Sequence, residues 1–212
     1  MIRQRWRRLA AVFRKKEGRE IPFPAHAGWR MLEASFLFAD LLAVPDLLML
    51  LNRIFKPNTR RLSDREIAMA REIYGDAIDW RPVRVDERAH IGCRQYKFAY
   101  VGFQVINCWG PLSDAHLIHE LVHVWQFQKL GSVYIPRALW AQRSPEAYNY
   151  GGIRALEKAM AEGRGLSDFN YEQQGDIVAD YFCLKNGLRP RWCAYNAAYL
   201  PVFQAIIRFS DQ

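Results

Sequence analysis

His119-Glu120-Leu121-Val122-His123 is the stretch from which this chain is best read. On a helix, residues four apart lie one turn apart on one face, so both imidazoles can reach a single metal ion. Glu120 sits about 100° further round, where it can take a proton from an attacking water. The flanking sequence agrees with a helix. Ser113 in Pro111-Leu112-Ser113-Asp114 is a natural N-cap, Gly131 is a stop, and the helix is expected to run to about Leu130. Leu117, Leu121 and Val124 would anchor it as an amphipathic helix. The competing reading is two histidines on a purely structural helix.

Catalytic zinc takes three protein ligands and keeps one open position, so the motif is one ligand short. The chain has five histidines and none follows His123. An extended three-histidine motif is absent, because its Gly and His would fall on Gln126 and Lys129. His116 shares the helix face, but on a straight helix its Cα is roughly 10 Å from that of His123, too far to share the ion comfortably. The third ligand is therefore expected from a downstream acid. Glu172, Asp176 and Asp180 recur every four residues on a predicted helix that Asn170 caps and Gly187 ends. Periodicity does not rank them, and a solvated acidic face is the competing reading. Side-chain length favours Glu172 as the direct ligand. The shorter Asp176 suits a hydrogen bond to the far nitrogen of a zinc-bound histidine, leaving Asp180 for helix packing or solvent.

The rest of the chain narrows the class. It has 212 residues, half of them hydrophobic, 14% aromatic and 25% charged. That composition excludes disordered, collagenous and repeat architectures. Cys93, Cys108, Cys183 and Cys193 form no CxxC pair, which removes a zinc ribbon or a thioredoxin motif. Buried thiols are expected, with a Cys93–Cys108 bridge as the alternative in an exported chain. The net charge is +8, of which residues 1–20 carry +6. The basic character thus belongs to a tail, and without a nucleic-acid fold motif no nucleic-acid partner is expected.

Three regions are expected: a basic arm over 1–28, an apolar helical pair over 29–60, and the domain that carries the motif over 61–212. The arm has too short an apolar stretch for a signal peptide. Residues 31–55 are long enough to span a bilayer, but Glu33, Asp40, Asp46 and Pro45 argue for two helices meeting near Pro45. These either pack on the core or dock at a membrane surface with help from the basic tail, so residues 1–55 are the candidate membrane contact. A cytoplasmic chain is expected, peripheral to a membrane or exported without a signal peptide. Further on, Ser63-Asp64-Arg65-Glu66 is a capping box for a helix to about Tyr74. Residues 83–85 read as a short strand, and 96–107 as one strand or a tight hairpin bent at Gly102. Ser144-Pro145-Glu146 reads as a helix start, 153–161 as helix, and the last helical region as kinked near Pro201. The fold class is α+β, mostly helical, with a small sheet.

Tyr74-Gly75-Asp76-Ala77-Ile78-Asp79-Trp80, His119 to Gln126, and Glu172 to Asp180 together carry a resemblance over about residues 63–187. On these residues the chain resembles the gluzincin zinc metallopeptidases, which have HExxH followed by an ExxxD helix. More narrowly, it is similar to a bacterial peptidase-like domain of unknown function found with contractile injection systems. The resemblance implies a zincin-like core and zinc on His119, His123 and Glu172, with Asp176 behind one of the zinc-bound histidines. It implies water-promoted hydrolysis of a peptide or protein substrate with Glu120 as general base. Such sites also use a Tyr or His to stabilise the oxyanion, and Tyr148 and Tyr150 are the candidates here, with Tyr181 and Tyr195 still open. The strand over 98–106 would bind substrate backbone if it forms an edge by the cleft. The second hypothesis is a zinc-binding, weakly active or inactive interaction module of a secretion or injection system. The third is a membrane- or nucleic-acid-binding protein that works through its basic arm.

Overall fold

The structure is a computed structural model that describes Trp6 and residues 27–56 and 58–209. It is mostly helical with one small sheet, as the sequence leads one to expect. The basic arm lies almost wholly outside the described residues.

Two helices open the described chain, α1 (Ala27–Leu41) and α2 (Val44–Phe55). They break at Ala43, whose φ of 58° is left-handed, and Pro45 lies in the first turn of α2, where a missing N–H costs nothing. One side of α1 is fastened to the body. Glu33 accepts from Arg137 Nε at 2.5 Å, and Asp40 accepts from the Ser132 amide at 2.8 Å and its hydroxyl at 2.5 Å. Helix α3 (Asp64–Tyr74) starts at the expected capping box, with Ser63 and Glu66 satisfying each other's amides, and ends at Gly75.

Strands β1 (Arg84–Asp86), β2 (Tyr100–Gly102) and β3 (Val105–Asn107) follow in the spatial order β1-β3-β2. β2 and β3 form the expected antiparallel hairpin, but the left-handed residue at its turn is Phe103, at φ 61°, and not Gly102. β1 runs parallel to β3.

The longest helix, α4 (Asp114–Leu130), is the centre of the molecule. Ser113 caps it and Gly131 closes it, both as expected. The expected amphipathic pattern does not hold: every residue from Leu117 to Phe127 is buried, so the helix has no solvent face there. Its polar residues therefore need partners inside the protein. Those come from α7 (Tyr171–Lys185), while α5 (Tyr134–Arg143) packs against both of these helices and α6 (Gly152–Ala161) lies against the last helix. A short α8 (Leu200–Ile206) completes the core with Phe203 and Ile206.

Two expectations fail locally. Ser144 does not start a helix. It closes α5, accepting the Ala147 amide and donating to the Ala141 carbonyl, and Ala147 takes a left-handed φ of 42° that keeps the next residues in turns. Pro201 does not kink a helix but begins one, in the first turn of α8. The four cysteines are free thiols, so no Cys93–Cys108 bridge forms.

Asp180 on α7 is fully enclosed, which excludes the expected solvent role. It accepts from the Tyr150 hydroxyl at 2.7 Å, the Arg191 amide at 2.6 Å and the Trp192 amide at 2.9 Å. Burial raises its pKa despite these donors, so the cost of enclosing the charge offsets part of what the bonds contribute. Asp180→Ala leaves three donors without an acceptor and is expected to cost about 2 kcal/mol, with metal binding retained. Urea unfolding at neutral pH measures this; a midpoint equal to wild type would show that the cluster contributes nothing.

Candidate metal centre

The site forms where α4 and α7, the most extensively packed pair of elements, face each other. Both helices are fixed at their starts. Asp114 in the first turn of α4 takes both guanidinium nitrogens of Arg65, at 3.0 and 2.5 Å. One turn on, the Tyr74 hydroxyl donates to the Ile118 carbonyl. Asn170 caps α7 through the amides of Glu172 and Gln173, and Gln173 closes the reciprocal box.

From α4, His119 and His123 point the same way, with ring centroids 5.1 Å apart. From α7, Glu172 Oε2 lies 3.4 Å from His119 Nε2 and 3.4 Å from His123 Nε2. One ligand atom from each of the three falls within 4.8 Å of the others, and all three residues are buried. Glu172 Oε2 has no hydrogen-bond partner among the described residues, although its other oxygen accepts from Gln142 Nε2 at 2.9 Å. A buried carboxylate oxygen left over between two imidazole nitrogens is the arrangement a cation completes, and the donor set suits a borderline metal.

The outer contacts fix the rings. Asp176 Oδ1 lies 2.8 Å from His119 Nδ1, which turns Nε2 toward Glu172. Asp176 is itself held by Trp192 Nε1 at 2.5 Å and Arg191 Nη1 at 3.2 Å. His123 Nδ1 pairs with Gln126 Oε1 at 2.8 Å, and Gln126 donates onward to the Tyr171 carbonyl and to Gln174. Gly175 lies between Glu172 and Asp176 on the face where the His119 ring rests. A Cβ added there would be 2.5 Å from His119 Cε1, so the helix approach requires glycine.

Burial by itself lowers the pKa of both histidines, but their acidic neighbours prevail and raise it. For His119 the leading contributions are hydrogen bonds to Asp176 and Glu172, and for His123 the charge of Glu172. Glu172 is driven well below the usual carboxylate range: burial opposes ionisation, and the charge of His123 with the hydrogen bonds from both imidazoles overcomes it. Without a metal, protons on the imidazoles do the ion's electrostatic work.

Beside this cluster opens a cavity of about 940 Å³. Its walls include His116, Glu120, Phe98, Tyr100 and Val101, the α5 residues Ile135, Ala138 and Leu139, and Tyr148. Glu120 is buried next to the cluster, with Oε1 3.3 Å from His116 Nε2 and Oε2 without a partner. His116 is not one of the three clustered donors but a partly exposed neighbour of Glu120.

The two tyrosine candidates separate. Tyr148 lines the cavity with its ring 6.0 Å from that of His119. Burial and the charges of Glu172 and Glu120 raise its pKa, so it keeps its proton at neutral pH. Tyr150 turns into the core and spends its hydroxyl on Asp180, so it is not placed for oxyanion contact. Tyr181 and Tyr195 are absent from the cavity wall. Gln142, Arg191 and Trp192 escaped the sequence reading, since they lie on an unrecognised helix or in a loop. Gln126 had a readable signal, three residues after a ligand-type histidine.

No family model matches the chain. The type VI secretion system spike protein VgrG2b of Pseudomonas aeruginosa strain PAO1 is 33% identical to it over 139 residues, which cover 60% of this chain and 13% of that protein. A solved structure, the effector domain of Pseudomonas aeruginosa VgrG2b, is 25% identical with a TM-score of 0.47, covering 70% of this chain and 84% of that one. The chain is thus homologous to VgrG2b of a type VI secretion system while spanning a small fraction of that relative's length.

Proposed function

We propose that the chain is a zinc-dependent peptidase that works as a module of a type VI secretion system. The partnerless Glu172 oxygen between two imidazoles carries the hydrolytic half of this reading. The similarity to VgrG2b supports the secretion half, with a spike component or a target protein as partner.

His119, His123 and Glu172 would hold the ion, and three such donors leave a tetrahedral zinc one open position. Zinc bound there supplies Lewis acidity and makes water acidic enough to attack at neutral pH. The rest is done by the chain's own residues. Glu120 takes the proton from the attacking water and passes it to the leaving amine, a role that its free buried oxygen suits. Tyr148, protonated at neutral pH, donates to the oxygen that gains charge. β2 is an outer strand whose Tyr100 and Val101 line the cavity, so an extended peptide can add to that edge beside Phe98 and Leu139.

The second reading is a zinc-binding, weakly active or inactive interaction module of the secretion system, and the VgrG2b similarity supports it better than it supports a peptidase. Labelled casein separates the two. Hydrolysis by wild type, falling about 100-fold or more in Glu120→Gln with metal and fold retained, is the expected result. Equal rates for the two proteins would remove Glu120 as base. No cleavage of casein or of secretion-system proteins by the zinc-loaded chain would leave the second reading.

Metal analysis is expected to give one zinc per chain. Glu172→Ala should abolish it, and Asp176→Ala should keep it with about 10–100-fold weaker affinity. Gly175→Ala is the sharper variant. Alanine improves helix propensity, so weaker zinc binding in a folded Gly175→Ala protein must come from the collision with His119. If Asp176→Ala strips the metal while Glu172→Ala keeps it, the ligand order is reversed.

Affinity should also depend on pH with a definite sign. The raised histidine pKa values mean that protons must leave before the metal binds. Affinity should therefore rise with pH through neutrality, by up to about tenfold per pH unit for each proton displaced. Titration calorimetry in buffers of different ionisation enthalpy counts these protons; zinc binding with no proton release would contradict the assignment.

A further inference from the structure

The acids of α1 are turned inward. Glu33 and Asp40 are buried against Arg137 and Ser132, which leaves the outward side of the helical pair mostly apolar, with Arg30, Ser35, Asp46 and Lys56 as its exposed polar residues among those described. Met31 and Phe38 on α1 are exposed, as are Leu47, Leu50, Ile54 and Phe55 on α2, with Phe55 77% accessible. The α2 residues 47, 50, 51 and 54 repeat at helical spacing, so they form a stripe rather than a scatter. Single exposed hydrophobics need no explanation, but a contiguous set on two successive helices marks a contact surface.

We infer that α1 and α2 dock this chain on an anionic lipid surface, with their outward apolar side sunk into the headgroup–acyl boundary. Charge selects lipid as the occupant. The sequence immediately ahead of α1, residues 1–20, carries +6 of the chain's +8, and each basic residue near an anionic leaflet strengthens binding about fivefold. The chemistry of the stripe agrees. Interface hot spots are rich in Tyr, Trp and Arg and poor in Leu, whereas Leu predominates on this surface.

The same contacts argue against a span. Among the described residues no single helix is long and apolar enough to cross a bilayer, and the pair bends by 66°. Burying α1 in hydrocarbon would tear Glu33 and Asp40 from Arg137 and Ser132. The docked helix also abuts the cavity wall, because α5 supplies both Arg137, which grips Glu33, and Leu139, which lines the cavity. Lipid docking would thus hold the cavity close to the membrane surface.

Vesicle co-sedimentation of the full chain tests this. The protein should bind vesicles of phosphatidylcholine with phosphatidylglycerol, bind phosphatidylcholine alone weaker by a factor of at least about 100, and be released by alkaline carbonate. The triple variant Leu47→Gln, Leu50→Gln, Ile54→Gln should lose binding roughly tenfold or more with an unchanged circular dichroism spectrum. Should that variant misfold, Phe55→Ser, at the most exposed position, should still lower binding several-fold. Wild type that ignores anionic vesicles, or folded variants that bind them as well as wild type does, would overturn the inference. Resistance to carbonate would replace docking by insertion. Self-association in lipid-free solution, abolished by the triple variant and unaccompanied by lipid binding, would assign the surface to a second copy.

Discussion

Glu172 is 1% exposed, and its Oε2, without a hydrogen-bond partner among the described residues, lies 3.4 Å from each of two imidazole nitrogens. An ionised carboxylate at that depth is tenable only beside compensating positive charge, from protons or a metal, because an isolated buried charge costs far more than a fold can absorb. The constraint extends to the whole centre of the molecule. α4 is buried on all sides over eleven residues, yet those residues include His119, Glu120, His123 and Gln126. A helix of that kind is stable when its neighbours answer its polar groups, and α7 does so for His119, His123 and Gln126 with Asp176, Glu172 and Gln174.

The supporting structure serves precision more than bulk stability. His119 is steered by Asp176, Asp176 by Trp192 and Arg191, and the ring rests on the bare backbone of Gly175. Arg191 also lies over the Tyr148 ring at 5.5 Å, while Asn170 and Gln173 hold the loop beside that tyrosine through the Ala147 and Asn149 carbonyls. The residues that frame the cavity are thus fixed by the same α7 terminus that presents Glu172. A cavity open to solvent next to groups positioned this tightly is the expected form of a site prepared before its ligand arrives.

How much of this the sequence disclosed follows from the range of the interactions involved. The α4 and α7 boundaries rest on local chemistry, Ser113 with Gly131 and Asn170 with Gly187, and were readable from the chain alone. The grouping of His119, His123, Glu172 and Asp176 was readable too, since four-residue spacing and side-chain length do not depend on the rest of the fold. α5 was missed because Tyr134-Ile135-Pro136 carries strand-like residues and a proline at what proves to be a first turn. Its Gln142 and Arg137 were lost with it. Asp180 looked interchangeable with its neighbours, because enclosure by Tyr150, Arg191 and Trp192 is set by tertiary packing. Tyr148 and Tyr150 are two residues apart, and only the turn at Ala147 decides which of them lines the cavity.

The central claim is that two imidazoles and the Glu172 carboxylate form one metal shell. X-ray absorption at the zinc edge of the zinc-loaded full chain examines that shell directly. The account predicts four light N/O neighbours at about 2.0–2.2 Å, with multiple scattering from two imidazole rings and no sulfur. A sulfur neighbour near ~2.3 Å, pointing to cysteine, or a shell without imidazole scattering would contradict it.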